Sequence, residues 1–307
     1  MKNYFPSVIG QDDLKSRLGF YIDSYKQTGV LPNCLFVSAK GMGKSFISTE
    51  LSKVLDKPML LINSASIKSA TAFIEQIVIP HVQDNKISLF LDEVHECANS
   101  KGLMTFLLSA MNITKEGVNR VNYQDYVLEF DSRKVTFLAA TTEFHKLGYA
   151  FRDRCIEFHF KPYKVDELGK IIQKNCPTVK FDNRVLNEIV SVCRGAPRQC
   201  VRFASDILRY CTINKTENFT MDDWHNFITR MGVKPMGLQD TEWTYLKLLR
   251  ERGKMTLTAL AASLELSPTT TRTGVENFLL KQHLIKIEQS GRIITKNGMD
   301  VLNSVKN

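Results

Sequence analysis

Apolar residues fall into short blocks separated by polar or glycine-containing turns, and the blocks alternate between two periods. Residues 34–37, 59–62, 87–91 and 135–140 are compact apolar runs of strand length. Between them, residues 44–55, 70–82 and 102–111 space their apolar positions helically, as with Phe46, Ile47, Leu51, Val54 and Leu55. Buried strands alternating with helices predict a mostly parallel sheet covered on both faces, an α/β module. After residue 161 the pattern changes. Helices are predicted over 166–174, 183–193 and 197–212, and a fourth opens at the cap-like Thr220-x-x-Asp223, with no convincing strand. Residues 232–237 read as a linker. Beyond it come helices over 242–251, 257–264 and 268–282, then strands over 284–288 and 292–295 around a turn at 289–291. No internal repeat or low-complexity tract interrupts this order.

Composition narrows the class. The chain has 307 residues, 43% hydrophobic and 24% charged, which excludes a disordered chain and leaves room for about two domains. No apolar run approaches a membrane span, and the N-terminus lacks the apolar stretch of a secretory signal, so a cytoplasmic protein is expected. The seven cysteines form no CxxC pair and read as reduced, mostly buried thiols, not a disulfide or zinc framework.

The net charge of +9 is unevenly placed. Residues 1–160 hold 18 basic and 17 acidic side chains, whereas 161–307 hold 23 and 15. Such an excess suits either a solvated basic surface or a polyanionic partner.

Chemistry concentrates at strand ends. Ser38-Ala39-Lys40-Gly41-Met42-Gly43-Lys44-Ser45 joins a strand to a helix and follows the phosphate-loop pattern GxxxxGK[ST] except at its first position, Ser38. Backbone N–H groups at a helix N-terminus bind phosphate, Gly41 and Gly43 permit close approach, Lys44 reaches the β- and γ-phosphates, and Ser45 ligates Mg²⁺. The strand 87–91 ends in Asp92-Glu93: Asp92 suits the metal shell and Glu93 the activation of water. Thr141-Thr142 ends the next buried strand, where Thr142 could sit beside the γ-phosphate. Arg152 and Arg154 flank Asp153, either as a surface ion-pair cluster or as an arginine finger for a neighbouring subunit. Arg198 begins a helix, where a cation opposes the dipole and suggests an anionic partner.

In this order the motifs resemble AAA+ ATPases, and more narrowly the RuvB family of Holliday-junction branch-migration motors, over nearly the whole chain. Residues 5–11 resemble the family's opening box, which places Ile9 near the adenine. DEVH (92–95) resembles its Walker B, AATT (139–142) its sensor 1, FRDRC (151–155) its finger region and RGAPR (194–198) its sensor 2. GLQDTEWTYL (237–246) and Ser-Gly-Arg-Ile (290–293) resemble its winged helix. The resemblance implies an AAA+ P-loop domain over 1–160, an all-α lid over 161–233 and a winged-helix domain over 237–307. It implies ATP and Mg²⁺, with Met42 and Phe46 joining Ile9, Gly41, Gly43, Lys44, Ser45 and Arg198 around the nucleotide. Arg154, with Arg152, would act in trans within a homo-oligomeric, six-membered ring.

The departures are Ser38, Ala39-Lys40 where the family has Pro-Pro or Pro-Ala, and Arg154-Cys155, which reads more like clamp loaders. The family also inserts a β-hairpin that docks its partner RuvA. Residues 112–130 are expected to form it, with 117–119 at the tip, facing a protein partner or DNA. In the winged helix, Thr271 and Arg272 suit phosphate contacts and Arg292 is the strongest candidate for a groove or backbone contact. Net +3 over 238–307 fits sequence-neutral binding. The implied activity is an ATP-driven motor on duplex DNA. A clamp loader or an initiator or helicase loader is the alternative, and a non-hydrolysing DNA-binding regulator is the third reading, supported only by Ser38.

Overall fold

The computed structural model describes residues 2–82, 85–112, 114 and 117–304, with residue 126 described by its backbone only. Two compact units emerge, Met1–Ile171 with Ala196–Arg198, and Ile172–Gly195 with Gln199–Asn307.

In the first unit the elements run α1 (Asp12–Thr28), β1 (Cys34–Val37), α2 (Lys44–Val54), β2 (Met59–Asn63), α3 (Ala70–Phe73), β3 (Ile87–Asp92), α4 (Lys101–Ala110), β4 (Val118–Tyr123), β5 (Tyr126–Asp131), β6 (Val135–Thr141), α5 (Tyr149–Arg152), β7 (Ile156–His159) and the start of α6 (Val165–Asn175). Five strands form one sheet in the order β2-β3-β6-β1-β7, every neighbouring pair parallel. Alternation along the strands fills two cores. Phe36, Phe90, Leu138 and Phe158 pack against Leu18 and Ile22 of α1 and Ile47 and Leu51 of α2. Leu35, Leu89, Leu91 and Ala139 face the other way, onto Phe73, Val78, Leu103 and Leu107. The parallel α/β expectation therefore holds.

Four local features differ from the sequence reading, the first being the edge strand β7, which was not anticipated. Helix α1 was not anticipated, although Leu14, Leu18 and Ile22 form its buried stripe. The helix expected over 70–82 changes after Phe73 into a π-helix, Ile74–Val82, that contains Pro80. Proline has no amide to offer an α ladder, so a widened turn is a natural accommodation. The hairpin exists, but its tip is Gln124-Asp125, because Tyr123 pairs with Tyr126. Gly117 instead lies at its base, where its carbonyl accepts the Ser132 amide at 2.8 Å. Residues 113, 115 and 116 of the expected insertion lie outside the described residues.

The second unit continues with β8 (Lys180–Phe181), α7 (Asn183–Val192), α8 (Pro197–Asn214) from Gln199 onward, β9 (Asn218–Phe219) and α9 (Met221–Met231). The two-residue parallel pair β8–β9 is too short to leave a period in the sequence. Thr220 and Asp223 do form a reciprocal capping box. Then follow α10 (Asp240–Arg252), α11 (Leu257–Ser263), α12 (Pro268–Thr270), a π-helical stretch Thr271–Glu276, α13 (Asn277–Lys281), β10 (Ile285–Glu288), β11 (Gly291–Ile294) and α14 (Lys296–Asn303). The last helix was not anticipated. Thr295 caps it by accepting the Gly298 amide at 3.1 Å. Among the described residues no helix is long and apolar enough to cross a membrane.

Met255 pairs with Arg292 and brings a third backbone segment against the hairpin. A Cβ on Gly291 would lie 2.6 Å from the Met255 carbonyl oxygen. Gly291→Ala is therefore expected to cost about 2 kcal/mol, read as a lower denaturation midpoint by circular dichroism.

Candidate active site

The parallel register sets the site. Val37 of β1 lies opposite Thr141 of β6 and His159 of β7, and Asp92 of β3 opposite Asn63 of β2. The loops after β1, β3 and β6 therefore leave one carboxyl edge of the sheet, where open α/β folds bind ligands.

After β1 the chain turns through Gly41 (φ +82°) and Gly43 (φ +100°) into α2. These values favour glycine, whereas Ser38 is not among the residues at positive φ. The departure at Ser38 thus falls where the backbone does not require glycine. The Lys44 ammonium, almost wholly buried, donates to the carbonyls of Ser38 at 3.0 Å and Ala39 at 3.4 Å. Burial pulls its pKa down, and the Glu93 and Asp92 carboxylates oppose that shift. Ser45 is half-buried on the first helical turn, and Phe46 is 49% exposed.

Two acidic residues end β3. Asp92 accepts the Glu93 amide at 3.1 Å. Glu93 takes a left-handed backbone conformation, φ 51° and ψ 48°, uncommon for a non-glycine residue. Its carboxylate accepts both the Thr142 amide at 3.0 Å and the Thr142 hydroxyl at 2.8 Å. The acidic pair and the threonine after β6 are thus one constellation.

His95 was not singled out individually, although it belongs to the DEVH motif. Buried, it lies 3.0 Å from the Thr141 hydroxyl through Nδ1 and 3.0 Å from Glu143 through Nε2. It ties the turn after β3 to the turn after β6.

Arg198 also reaches this edge. Its amide donates to the Gly41 carbonyl at 3.1 Å, and a Cβ on Gly41 would meet the Arg198 Cβ at 3.2 Å. Tyr163, which no motif marked, donates its hydroxyl to the Met42 carbonyl at 3.2 Å. Burial pushes that phenol up to about 12. Gln11 holds the neighbouring strand extension by accepting the Lys161 amide at 2.9 Å and donating to its carbonyl at 2.7 Å. The opening box is thereby secured beside the phosphate loop, with Ile9 half-buried.

The two finger candidates lie elsewhere. Cys34 of β1 pairs with Ile156 of β7, so Arg154 lies just before β7 at the amino edge of the sheet, whereas the Arg152 guanidinium reaches Phe144, whose ring lies beside His159 at the carboxyl end of β7. A four-residue strand separates Arg154 from its own phosphate loop, a rise of about 13 Å before loops are counted. Arg154 donates to the carbonyls of Leu108 at 3.0 Å and Ala150 at 2.8 Å. Arg152 pairs with Glu157 at 3.3 Å and lies 4.0 Å over the Phe144 ring.

The expected DNA contacts need two corrections. Thr271 is fully buried and donates its hydroxyl to the Ser267 carbonyl at 3.0 Å, so it has no face for a ligand. Arg292 forks onto the buried carboxylate of Glu276, at 2.8 and 3.3 Å. Glu276 also accepts the Tyr245 hydroxyl at 2.6 Å. A buried carboxylate requires such a partner, so Arg292 is a strut between the wing and the third helix and not a free cation. Arg272 remains exposed.

Residues 34–163 match the model of the ATPase family associated with various cellular activities, and residues 235–303 match the RuvB C-terminal winged helix domain. The Holliday junction branch migration complex subunit RuvB of Acholeplasma laidlawii is 25% identical over 96% of this chain and 88% of its own length. That of Campylobacter lari is 26% identical over 97% and 89%. The solved Thermotoga maritima RuvB Holliday junction branch migration motor superposes with a TM-score of 0.77 at 23% identity, covering 98% of this chain and 99% of that one.

A parallel sheet carrying a phosphate loop, an acidic strand end and an adjoining polar threonine, matched by that ATPase model, defines an AAA+ ATPase. The C-terminal match and the full-length relatives make it a RuvB-like one. It therefore binds and hydrolyses nucleotide.

Proposed function

We propose that this chain is an ATP-driven DNA motor of the RuvB type. Subunits form a six-membered ring that translocates duplex DNA and drives branch migration of Holliday junctions in the cytoplasm. The observation that carries the ring is the division of the site across the sheet. Glu93 and Thr142 lie at the carboxyl edge with Lys44, whereas Arg154 lies at the amino edge, suited to a neighbour's nucleotide. In each subunit Lys44 and the loop amides of 41–45 hold the phosphates, and Ile9, Met42 and Phe46 border the nucleotide. Ser45 and Asp92 offer the oxygen donors that Mg²⁺ prefers, and the ion would neutralise phosphate charge. Glu93 orients water, Thr142 sits beside it, Arg198 reads the phosphates in cis, and Arg154 with Arg152 acts in trans.

Lys44→Ala is expected to abolish ATP binding by isothermal titration, because the only buried cation of the loop is lost. Retained affinity would remove the phosphate-loop assignment.

The hairpin β4–β5, with Val127 exposed, supports docking of a RuvA-like partner. DNA contact is assigned to the exposed Arg272, through phosphates and without base reading. Binding of a four-way junction should then weaken linearly in log salt, and Arg272→Ala should lower the slope by about one for each subunit that contacts the DNA. An unchanged slope would place the contact elsewhere. The decisive test is electron microscopy with ATP and a synthetic four-way junction, scored for rings and for strand exchange. ATP-dependent loading of a sliding clamp or helicase without junction processing would instead favour a loader.

A further inference from the structure

The turn that carries Arg198 also carries Arg194, and the two arginines face different tasks. Arg194 sits at the end of α7 in a left-handed conformation, φ 57°, directly before Gly195 at φ 72°. Its guanidinium forks onto Glu242 of α10, with nitrogen–oxygen distances of 3.1 and 2.8 Å. The same group lies 3.3 Å over the centroid of the Phe278 ring on α13. Glu242 is wholly buried and also accepts the Gln239 amide at 2.8 Å, completing the capping box of α10. A third contact is steric. A Cβ on Gly237 would lie 2.1 Å from the Val192 carbonyl oxygen, so the expected linker is packed against the end of α7.

All three contacts join the α7 turn to the C-terminal three-helix and hairpin module, inside one compact unit. A forked, stacked and buried arginine pair has one geometry, which lysine cannot reproduce. We infer that Arg194 and Glu242 are positioning residues that lock the lid helices to the winged helix, making both a single lever moved through the turn at 195–198. The inference rests on the motor reading above for its output. Arg198 bonds the phosphate loop through its amide, so a change of nucleotide would pull on the turn, and the joint would pass the displacement to DNA. Without the joint, ATP would still bind and turn over while DNA failed to respond.

The test uses the full-length chain with Glu242→Gln, which keeps an acceptor for the α10 cap. The double variant Arg194→Met/Glu242→Gln leaves neither charge unpaired and guards against misfolding. Spin labels are placed at the exposed positions Arg184 and Lys281 as unnatural amino acids. In the native chain the label distance should be narrow and equal with and without ATPγS. In both variants it should broaden at least twofold. ATPase is measured with and without a synthetic four-way junction. Basal kcat and the KM for ATP should stay within twofold while DNA stimulation falls at least tenfold. A native distance that moves with nucleotide, or variants that keep a narrow distance and full stimulation, would overturn the lever. A narrow native distance that the variants broaden, in a chain whose ATPase ignores DNA, would uphold the joint and sink the motor reading.

Discussion

Glu93→Gln is expected to bind ATP with near-native affinity and to lose turnover by about 10²–10⁴-fold, the usual contribution of a positioned general base. The amide side chain is isosteric, so the left-handed turn at 93 and the contacts to Thr142 should survive in altered polarity. The carboxylate accepts two hydrogen bonds from Thr142, at 3.0 and 2.8 Å, and the amide oxygen can accept the same pair. The capacity to take a proton from water disappears. Phosphate-release assays and isothermal titration on the same preparation separate the two effects. Weakened binding at full kcat would assign Glu93 to the phosphate cradle and not to water. Thr142→Val distinguishes positioning from proton transfer: it should lower kcat less than Glu93→Gln, because Glu93 keeps its charge and its bond to the backbone amide.

What the sequence disclosed depended on whether function sits in contiguous residues. The phosphate loop, the acidic strand end, the Thr141-Thr142 pair and the turn at 194–198 are short motifs, and their roles follow from neighbours in the chain. Four of the five strands of the sheet were legible because they are apolar runs separated by helices; the edge strand β7, Ile-Glu-Phe-His, interleaves charged and polar residues and left no such run. Tyr163, the bonds of Gln11 to Lys161 and the bridging role of His95 became visible only through the fold. Gln11 meets Lys161 across 150 positions, and no local period marks either. Helix α1 has a regular buried stripe, but no side-chain cap at Gln11 marks its start, so the local sequence carries no capping signal there.

The errors in the winged helix have an electrostatic cause. Arg292 and Glu276 are 16 residues apart, and nothing between them shows that one neutralises the other. A lone arginine on a hairpin reads as a free cation until its buried partner is seen. Thr271 failed for a related reason. A threonine near a helix start reads as solvent-facing, yet its hydroxyl bonds back to Ser267 and its side chain fills the core. The positive balance of 161–307 is therefore not all available to DNA: Arg194 and Arg292 each answer a buried glutamate.

Arg154→Ala should lower turnover by about 10³–10⁵-fold, the range associated with an arginine finger, while each subunit still binds ATP. The placement of Arg154 makes a stronger test available than loss of activity. Since Arg154 precedes β7 and the phosphate loop follows β1 in a parallel pair, finger and loop leave opposite edges of one sheet. Mixing Arg154→Ala subunits with Lys44→Ala subunits therefore pairs an intact loop from the first with an intact finger from the second. Neither variant hydrolyses alone. In random rings formed from equal amounts, roughly a quarter of interfaces would join the two competent halves, so turnover should reappear at a comparable fraction of native. If Arg154 acted in cis, no interface would combine both groups and mixing would restore nothing. The backbone bonds of Arg154 to Leu108 and Ala150 are a competing structural role. Loss of those bonds alone would lower thermal stability and would not respond to mixing. Rescue by subunits that cannot themselves bind ATP thus separates a group that reaches across an interface from one that only braces its own fold.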